Sequence, residues 1–362
     1  MPYQRLPESV QTLYAELLEQ AVHGAAEAAA VPGSGSARGS FVAKTIKGGT
    51  YWYQQRVEGG KRRQQYLGRE SPSLLAWMAE VRQAREGTAA DAAGRARLVT
   101  MLAAGGAARE SAEVVRVLEL LAEAGVFRMG GVLVGTQAFR AYGNLLGVRF
   151  AAASLRTQDV DIAQDPAVGI ALAAESNPLN LDASLRDSGL GFFPVPGLDP
   201  RQPSTSFKIR GREMRVDFLT PLLGRDRSEP VYLPAFGVSA SPLRFLDYLI
   251  ESPTEAVVVG GNGVLVHLPD PARFALHKLW ISARRPVSEQ TKAAKDLHQA
   301  GDLLDLLLDD RPDDIRMAWE AFARRPDAAN AAGTVRAAIR RLPAELQARL
   351  EEGLPELKIA SA

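Results

Sequence analysis

The stretch Arg156-Thr157-Gln158-Asp159-Val160-Asp161-Ile162-Ala163 is the part of this sequence that decides the fold. In an extended strand, alternate side chains point to one face, so Asp159 and Asp161 lie together, about 7 Å apart along the chain. Val160 and Ile162 point the other way, toward a core. Two carboxylates on one face repel each other unless a divalent cation lies between them. The stretch therefore predicts a strand that carries a Mg²⁺ or Mn²⁺ site suited to phosphate chemistry. The alternative is an edge strand or loop whose acids face water.

Composition limits the class of protein. The chain has 362 residues, of which 46% are hydrophobic and 23% are charged, and these values are typical of a soluble globular protein with two or three domains. The net charge of +1 gives no argument for nucleic-acid binding by the chain as a whole. The absence of cysteine excludes disulfides and thiolate sites and fits a reducing compartment. We find neither a signal peptide nor an apolar run of about 18 residues, and therefore expect a cytoplasmic protein without a membrane span.

The hydrophobic pattern divides the chain into three regions. Residues 1–105 form an N-terminal accessory region, in which a helix over 7–30 is followed by a three-stranded meander over 39–70 and by helices over 72–86 and from 91 onward. Residues 106–268 form an α/β core, which includes two hairpins over 206–220 and 256–268. Residues 269–362 have the apolar periodicity of a helical domain. The predicted fold class is α+β, that is, mixed α/β.

Two further elements complete the predicted site. Val134-Gly135-Thr136-Gln137 joins a short buried strand to a helix, where a glycine allows close approach of a phosphate and the helix N-terminus offers N–H donors. Many α/β proteins have a glycine at such a turn, so an ordinary turn is the alternative. Asp217 lies in a half-buried strand, where a carboxylate needs a cation or a partner. Arg215, on the same face, is the alternative partner to a metal.

In this order, the Gly135-Thr136 turn, the pair Asp159 and Asp161, and the later Asp217 resemble the nucleotidyltransferase superfamily, which has a polymerase-β-like fold. More narrowly, the segments VGTQAF, LGVRF and TQDVDIA resemble an uncharacterised bacterial nucleotidyltransferase-like family. The resemblance covers roughly residues 110–310.

The resemblance implies a metal-dependent transfer of a nucleoside monophosphate from an NTP to a hydroxyl, with release of pyrophosphate. It implies that Asp159, Asp161 and Asp217 are the catalytic and metal-binding residues for two Mg²⁺ or Mn²⁺ ions, and that Asp217 is also the general base. It further implies that Gly135 and Thr136 bind the β- and γ-phosphates of the NTP. The acceptor is RNA (including tRNA), a protein or a small molecule.

Basic residues complete the predicted nucleotide site. Related families place a lysine in a helix like the one that contains Lys278, followed by a Lys-Asp pair that Lys295-Asp296 matches here. Lys278 lies beside, rather than on, the apolar stripe marked by Leu276 and Leu279, so a solvated surface charge is the alternative. Arg156 is close enough to Asp159 to contact phosphate or to screen the acids.

The meander is locally basic and aromatic. Lys61, Arg62, Arg63 and Trp52 are the residues that we expect to contact a nucleic acid, through phosphate contacts and base stacking. The alternative is a sheet with a charged outer face whose aromatic residues pack on the flanking helices.

Three functions remain open from the sequence alone. The first is the metal-dependent nucleotidyltransferase. The second is a catalytically degenerate module that binds a nucleotide or nucleic acid, and the retention of three acids argues against it. The third, by analogy with related families, is an effector in a defence or toxin–antitoxin pair.

Overall fold

The computed structural model describes residues 2–30, 40–58, 61–151, 158–175, 178–196, 202–225, 228–325 and 328–357. The strands are β1 (Tyr3–Arg5), β2 (Ser40–Ile46), β3 (Gly49–Glu58), β4 (Lys61–Arg69), β5 (Val132–Val134), β6 (Val148–Phe150), β7 (Asp159–Ala163), β8 (Phe192–Pro194), β9 (Ser206–Ile209), β10 (Arg215–Pro221), β11 (Val231–Leu233), β12 (Val238–Leu243), β13 (Thr254–Val258) and β14 (Val264–Leu268).

The helices are α1 (Glu8–Ala30), α2 (Pro72–Ala104), α3 (Ala112–Ala124), α4 (Gly135–Leu145), α5 (Pro166–Glu175), α6 (Leu181–Asp187), α7 (Leu246–Ile250), α8 (Pro271–Arg284), α9 (Gln290–Asp310), α10 (Pro312–Ala323), α11 (Ala328–Ile339) and α12 (Ala344–Gly353). This mixture of helices and strands confirms the α+β fold class. None of the described helices combines the length and the apolar character that a membrane-spanning helix requires.

The central sheet is organised around β10. Its strand order is β11-β12-β10-β7-β5, in which β7 and β12 run parallel to β10, and β5 runs antiparallel to β7. The edge of β10 away from β7 has two partners in succession: residues 215–217 pair with β9 and residues 219–221 pair with β12. Strand β8 continues the sheet beyond β9. Along the first half of β10, the local strand order is therefore β8-β9-β10-β7.

The core lies on the face of this sheet opposite the acids. Val160, Ile162, Val216 and Phe218 are fully buried there. Alternation along the strands puts hydrophobic residues on this face and the acids on the other, as the sequence pattern predicts. The buried faces of α3, α4, α8 and α9 belong to the same core.

The N-terminal region packs against the core through α1. A second apolar cluster joins α1 and the end of α2 to the hairpin of β13 and β14. The Tyr14 hydroxyl donates to the Val257 carbonyl at 3.2 Å and accepts from the Val257 N–H at 3.0 Å. Strand β1 pairs with β6, and Arg5 bonds to Asp310 at the end of α9.

Two features differ from the sequence-based prediction. Helix α2 runs unbroken from Pro72 to Ala104 and ends at Gly105. The predicted gap between residues 86 and 91 is absent, because the alanines around Gly87 and Gly94 favour a helix strongly enough to tolerate both glycines. The short strands β1, β6, β8, β11 and β12 were not predicted, since three to six residues carry little periodicity. The meander, the two hairpins and the helices after residue 269 are confirmed.

Candidate active site

The three acids lie together on one face of the central sheet. In the parallel pair β7–β10, Asp217 is the register partner of Asp161, and Arg215 is the partner of Asp159. Register partners share a face, and Asp159 is two residues from Asp161, so all three carboxylates project from the same side. The strand register thus brings together the acids that the sequence placed in one site.

Gly135 lies directly against Asp161. Strand β5 pairs antiparallel with β7 so that Val134 is opposite Asp161, and the chain then turns into α4 at Gly135 with a φ of +68°. A Cβ at position 135 would overlap Oδ2 of Asp161 and would lie 3.2 Å from its Cγ. Glycine is therefore required here both for the backbone conformation and for the approach of the carboxylate.

The turn also leaves a helix N-terminus beside the acids. Val134, which precedes α4, makes no side-chain capping bond to it, and half-buried Thr136 is the second residue of the helix. Uncapped amides and the helix dipole favour an anion at this end. The arrangement suits a phosphate placed next to Asp161.

Asp161 is a strongly perturbed acid. Burial raises its pKa to about 7, and repulsion from Asp217 and Asp159 adds to this effect, while Lys278 and Arg215 oppose it. The charges of these four side chains therefore all influence the protonation of Asp161. A carboxylate in this state favours a bound proton or a cation near neutral pH.

Asp217 is held by two donors. The Arg215 Nε donates to Asp217 Oδ1 at 2.7 Å, and the Ser206 hydroxyl donates to the same oxygen. The Arg215 Nη2 also donates to the Ser206 hydroxyl at 2.8 Å. The salt bridge considered as the alternative role of Asp217 is therefore present. Ser206 was missed in the sequence, although it is the β9 register partner of Asp217 and the predicted hairpin could have identified it.

Lys278 is buried rather than solvated. Its Nζ donates to Asp296 Oδ1 at 2.6 Å and lies 5.3 Å from the centre of the Phe274 ring. The Arg285 Nε donates to the other oxygen of Asp296 at 2.6 Å. These contacts hold the pKa of Asp296 below its usual range despite its burial. Asp296 thus fixes Lys278, whose positive charge acts on Asp161.

Lys295 is the second lysine near the acids. It is half-buried, and burial together with repulsion from Lys278 lowers its pKa, while Asp296, Asp159 and Asp161 oppose that change. Two cations from α8 and α9 thus act on the acids of β7. Positive charge at this place suits the phosphates of a nucleotide.

An open groove of about 730 Å³ borders the start of β7. Its lining includes Gln158, which precedes Asp159, together with Phe193, Lys208 and Arg210. Phe193, Lys208 and Arg215 are successive register partners across β8, β9 and β10, so the groove wall continues the sheet face that carries the acids. The volume is in the range of small-ligand sites.

The other predicted site residues either belong to the meander or lie outside the residues that the structure describes. Arg156 lies outside the described residues, as do the side chains of Lys61 and Arg63 in β4. Arg62 is exposed on the meander. Trp52 donates from Nε1 to Glu70 Oε2 at 3.0 Å. The nucleic-acid contacts assigned to these residues stay predictions.

The acids fit a divalent cation by their chemistry and by their backbone placement. Three oxygen-donor residues share one face, and crowding raises the pKa of Asp161, an effect that a cation would relieve. Within the described ranges, no three His, Asp or Glu side chains form a group that could already hold a metal ion. The bond from Arg215 occupies one carboxylate oxygen of Asp217.

Comparison with known proteins gives two family matches. Residues 112–324, more than half of the chain, match the nucleotidyltransferase family, and residues 4–80 match a domain of unknown function (DUF6788). No curated protein matches the chain. The first match contains β5, α4, β7 and β10 and therefore every acid of the site, as well as Lys278 and Lys295. The chain belongs to the nucleotidyltransferase family.

Proposed function

We propose that the protein transfers a nucleoside monophosphate from an NTP to a hydroxyl acceptor in a divalent-metal-dependent reaction. The observation that carries this proposal is the register that sets Asp217 beside Asp161, with Asp159 on the same face and Gly135 in contact. Membership of the nucleotidyltransferase family supports the reaction class. In this proposal the protein is cytoplasmic, because the NTP donor is found in the cytoplasm.

Asp159, Asp161 and Asp217 would hold Mg²⁺ or Mn²⁺. When bound, two such ions stabilise the charge of the triphosphate and lower the pKa of the acceptor hydroxyl. For a metal to bind Asp217, the bond from Arg215 must open or be shared. Arg215 then becomes available to a phosphate oxygen on the same face.

The protein's own groups supply the rest of the transition-state stabilisation. The N-terminal amides of α4, with the Thr136 hydroxyl, donate to the β- and γ-phosphates. Lys278 contributes a positive charge that Asp296 holds in place, so little reorganisation is needed during the reaction. Lys295 adds a second positive charge on the same side of the acids.

We assign Asp217 as the general base that accepts the proton of the acceptor hydroxyl. The bonds from Ser206 and Arg215 both end on Oδ1, so Oδ2 is the atom that receives the proton. As the proton leaves, the acceptor oxygen attacks the α-phosphorus, the bond from that phosphorus to the bridging oxygen breaks, and pyrophosphate departs. The acceptor is an RNA, a protein or a small molecule.

The test is label transfer from each α-³²P-labelled NTP into a whole-cell RNA and protein extract. Wild type should label a discrete band only with Mg²⁺ or Mn²⁺, and Asp161→Asn and Asp217→Asn should each lower the rate by at least about 100-fold. Asp91→Asn, an exposed carboxylate of α2, is the matched control and should keep full activity. Equal labelling by wild type and both site variants, or labelling in EDTA, would contradict the proposal.

The ion pair between Arg215 and Asp217 favours one second candidate, a nucleotide-binding module without turnover. In that case the guanidinium replaces the second metal permanently. Such a module would show an NTP-dependent rise in melting temperature without label transfer in any extract. Arg215→Ala would then weaken NTP binding rather than release any activity.

A further inference from the structure

The outer face of the N-terminal meander carries an aromatic and basic surface that the proposed transfer reaction does not use. Strand alternation and the register of β2, β3 and β4 put Tyr51, Tyr53 and Tyr66 on one face. The ring centres of Tyr53 and Tyr66 are 5.4 Å apart, and those of Tyr51 and Tyr66 are 6.4 Å apart. We call this face the tyrosine face.

The tyrosine face points away from the helix that supports the meander. The opposite face carries Phe41, which packs edge-on against Trp77 of α2 with ring centres 5.7 Å apart, and buried Gln54. Tyr66, in contrast, is 54% exposed, and Tyr51 and Tyr53 are half-buried. The sheet therefore uses one face for its own packing and leaves three tyrosines on the other.

Positive charge surrounds the tyrosines. Lys44 lies 4.6 Å from the centre of the Tyr53 ring, and Arg62 and Arg69 are exposed at register positions on the same face. The strand positions that the register assigns to this face within residues 40–58 and 61–69 contain no Asp or Glu. An exposed ring at Tyr66, next to two half-buried rings and bordered by cations, complements a chain of bases linked by phosphates.

Polar side chains lie next to the tyrosines. Lys44 donates to Gln64 Oε1 at 2.5 Å, and Gln64 donates to Gln55 Oε1 at 2.8 Å. These amides carry donors and acceptors that can pair with the edges of bases held on the rings. A duplex hides its base faces within the stack, whereas a single strand presents them, so stacking rings favour a single strand.

We propose that the tyrosine face binds single-stranded nucleic acid, with bases stacked on Tyr66 and its neighbours and phosphates paired with Arg62 and Arg69. Of the four residues in the sequence-based expectation, only Arg62 is on this face; the register puts the strand positions of Lys61, Arg63 and Trp52 on the opposite face. Trp52 lies on the opposite face and bonds to Glu70, so it takes no part in the proposed surface. The proposal does not depend on catalysis, because it concerns binding in the absence of NTP.

The test is fluorescence polarisation of the full-length protein with labelled oligo-U, oligo-dT and duplex DNA, each of about 20 nucleotides per strand. Wild type should bind at least one single strand more tightly than the duplex. The comparison of oligo-U with oligo-dT tells whether RNA or DNA is the preferred strand. No binding of either single strand at low salt, or tighter binding of the duplex, would overturn the proposal.

Substitutions at Tyr66 separate stacking from folding. Tyr66→Ala should raise the Kd about tenfold, whereas Tyr66→Phe, which keeps the ring, should stay within about twofold of wild type. Tyr232→Ala, at a tyrosine of β11 that is 60% exposed, is the aromatic control and should have no effect. Circular dichroism checks that each variant is folded. Equal affinities for Tyr66→Ala and Tyr66→Phe would refute the stacking role.

The arginines are tested by salt dependence. The double change Arg62→Ala and Arg69→Ala should lower the slope of log K against log salt by about 1.4, since each single-strand phosphate contact contributes about 0.7. Arg97→Ala, an exposed residue of α2, is the charge control and should leave the slope unchanged. An equal slope for the double variant and wild type would show that Arg62 and Arg69 do not contact the phosphates.

Discussion

Asp161→Asn should stabilise the metal-free protein, and the gain should depend on pH. The unfolded chain ionises this carboxyl at its ordinary pKa of 3.8, whereas burial and the neighbouring acids raise the pKa in the folded protein to about 7. Between these two values the folded state holds a proton that the unfolded state has released. Wild-type stability therefore falls as the pH rises from about 4 to about 7 and is level above that range.

The size of the effect follows from the two pKa values. A difference of about three pKa units corresponds to roughly 4 kcal/mol of unfavourable free energy once Asp161 is ionised in both states. Asparagine has the shape of the protonated acid and does not ionise, so it avoids this loss. The gain of Asp161→Asn over wild type should grow by about 2 to 3 kcal/mol between pH 5.0 and pH 7.5.

Urea unfolding in EDTA at these two pH values measures the gain, with Asp91→Asn as the control for the loss of one surface carboxylate. The same variant should be inactive in label transfer, so a more stable protein would be a less active one. A gain that is equal at both pH values, or a variant less stable than wild type at pH 7.5, would show that the environment of Asp161 does not disfavour its charge.

Two further changes test the surroundings of the acids. Gly135→Ala should abolish label transfer, because the alanine Cβ displaces the Asp161 carboxylate. Gly189→Ala is the control, since Gly189 also has a positive φ of +75° but a Cβ added there meets no atom within 4 Å. Equal activities of the two variants would exclude the displacement. Asp296→Asn should lower the free energy of unfolding by about 3 to 5 kcal/mol because it leaves buried Lys278 without its counter-charge, and adding Lys278→Met should restore part of that loss in urea unfolding. A loss that is larger in the double variant than in the single one would show that the two residues do not act as a pair.

Local patterns in the sequence predicted much of the fold. The 3.6-residue apolar periodicity identified α1, α3 and the C-terminal helices, and Gly48-Gly49 with the alternating residues around it identified the β2–β3 hairpin. These features depend on neighbours a few positions apart. The pairing of β1 with β6 and the change of partner along β10 depend on residues far apart in the chain, and no local pattern carries that information.

The same distinction applies to the candidate site. Asp159 and Asp161 are visible as a pair because strand alternation is local, and the structure places Asp217 beside them. The partners of these residues were harder to foresee. The sequence around Lys278 is equally compatible with a solvated lysine. Only the packing of α8 against α9 brings its Nζ within 2.6 Å of Asp296 Oδ1. Contact between Gly135 and Asp161 likewise needs the pairing of β5 with β7.

The pairing of β1 with β6 has a consequence for the order in which the molecule folds. Tyr3 is aligned with Phe150, and Arg5 bonds to Asp310, so the start of the chain joins partners about 150 and 300 positions away. On a ribosome, β1 emerges long before either partner exists. Contacts of such high sequence separation form late, because a long loop must close first. We therefore expect β1 to be synthesised long before its partners and to be among the last strands to dock.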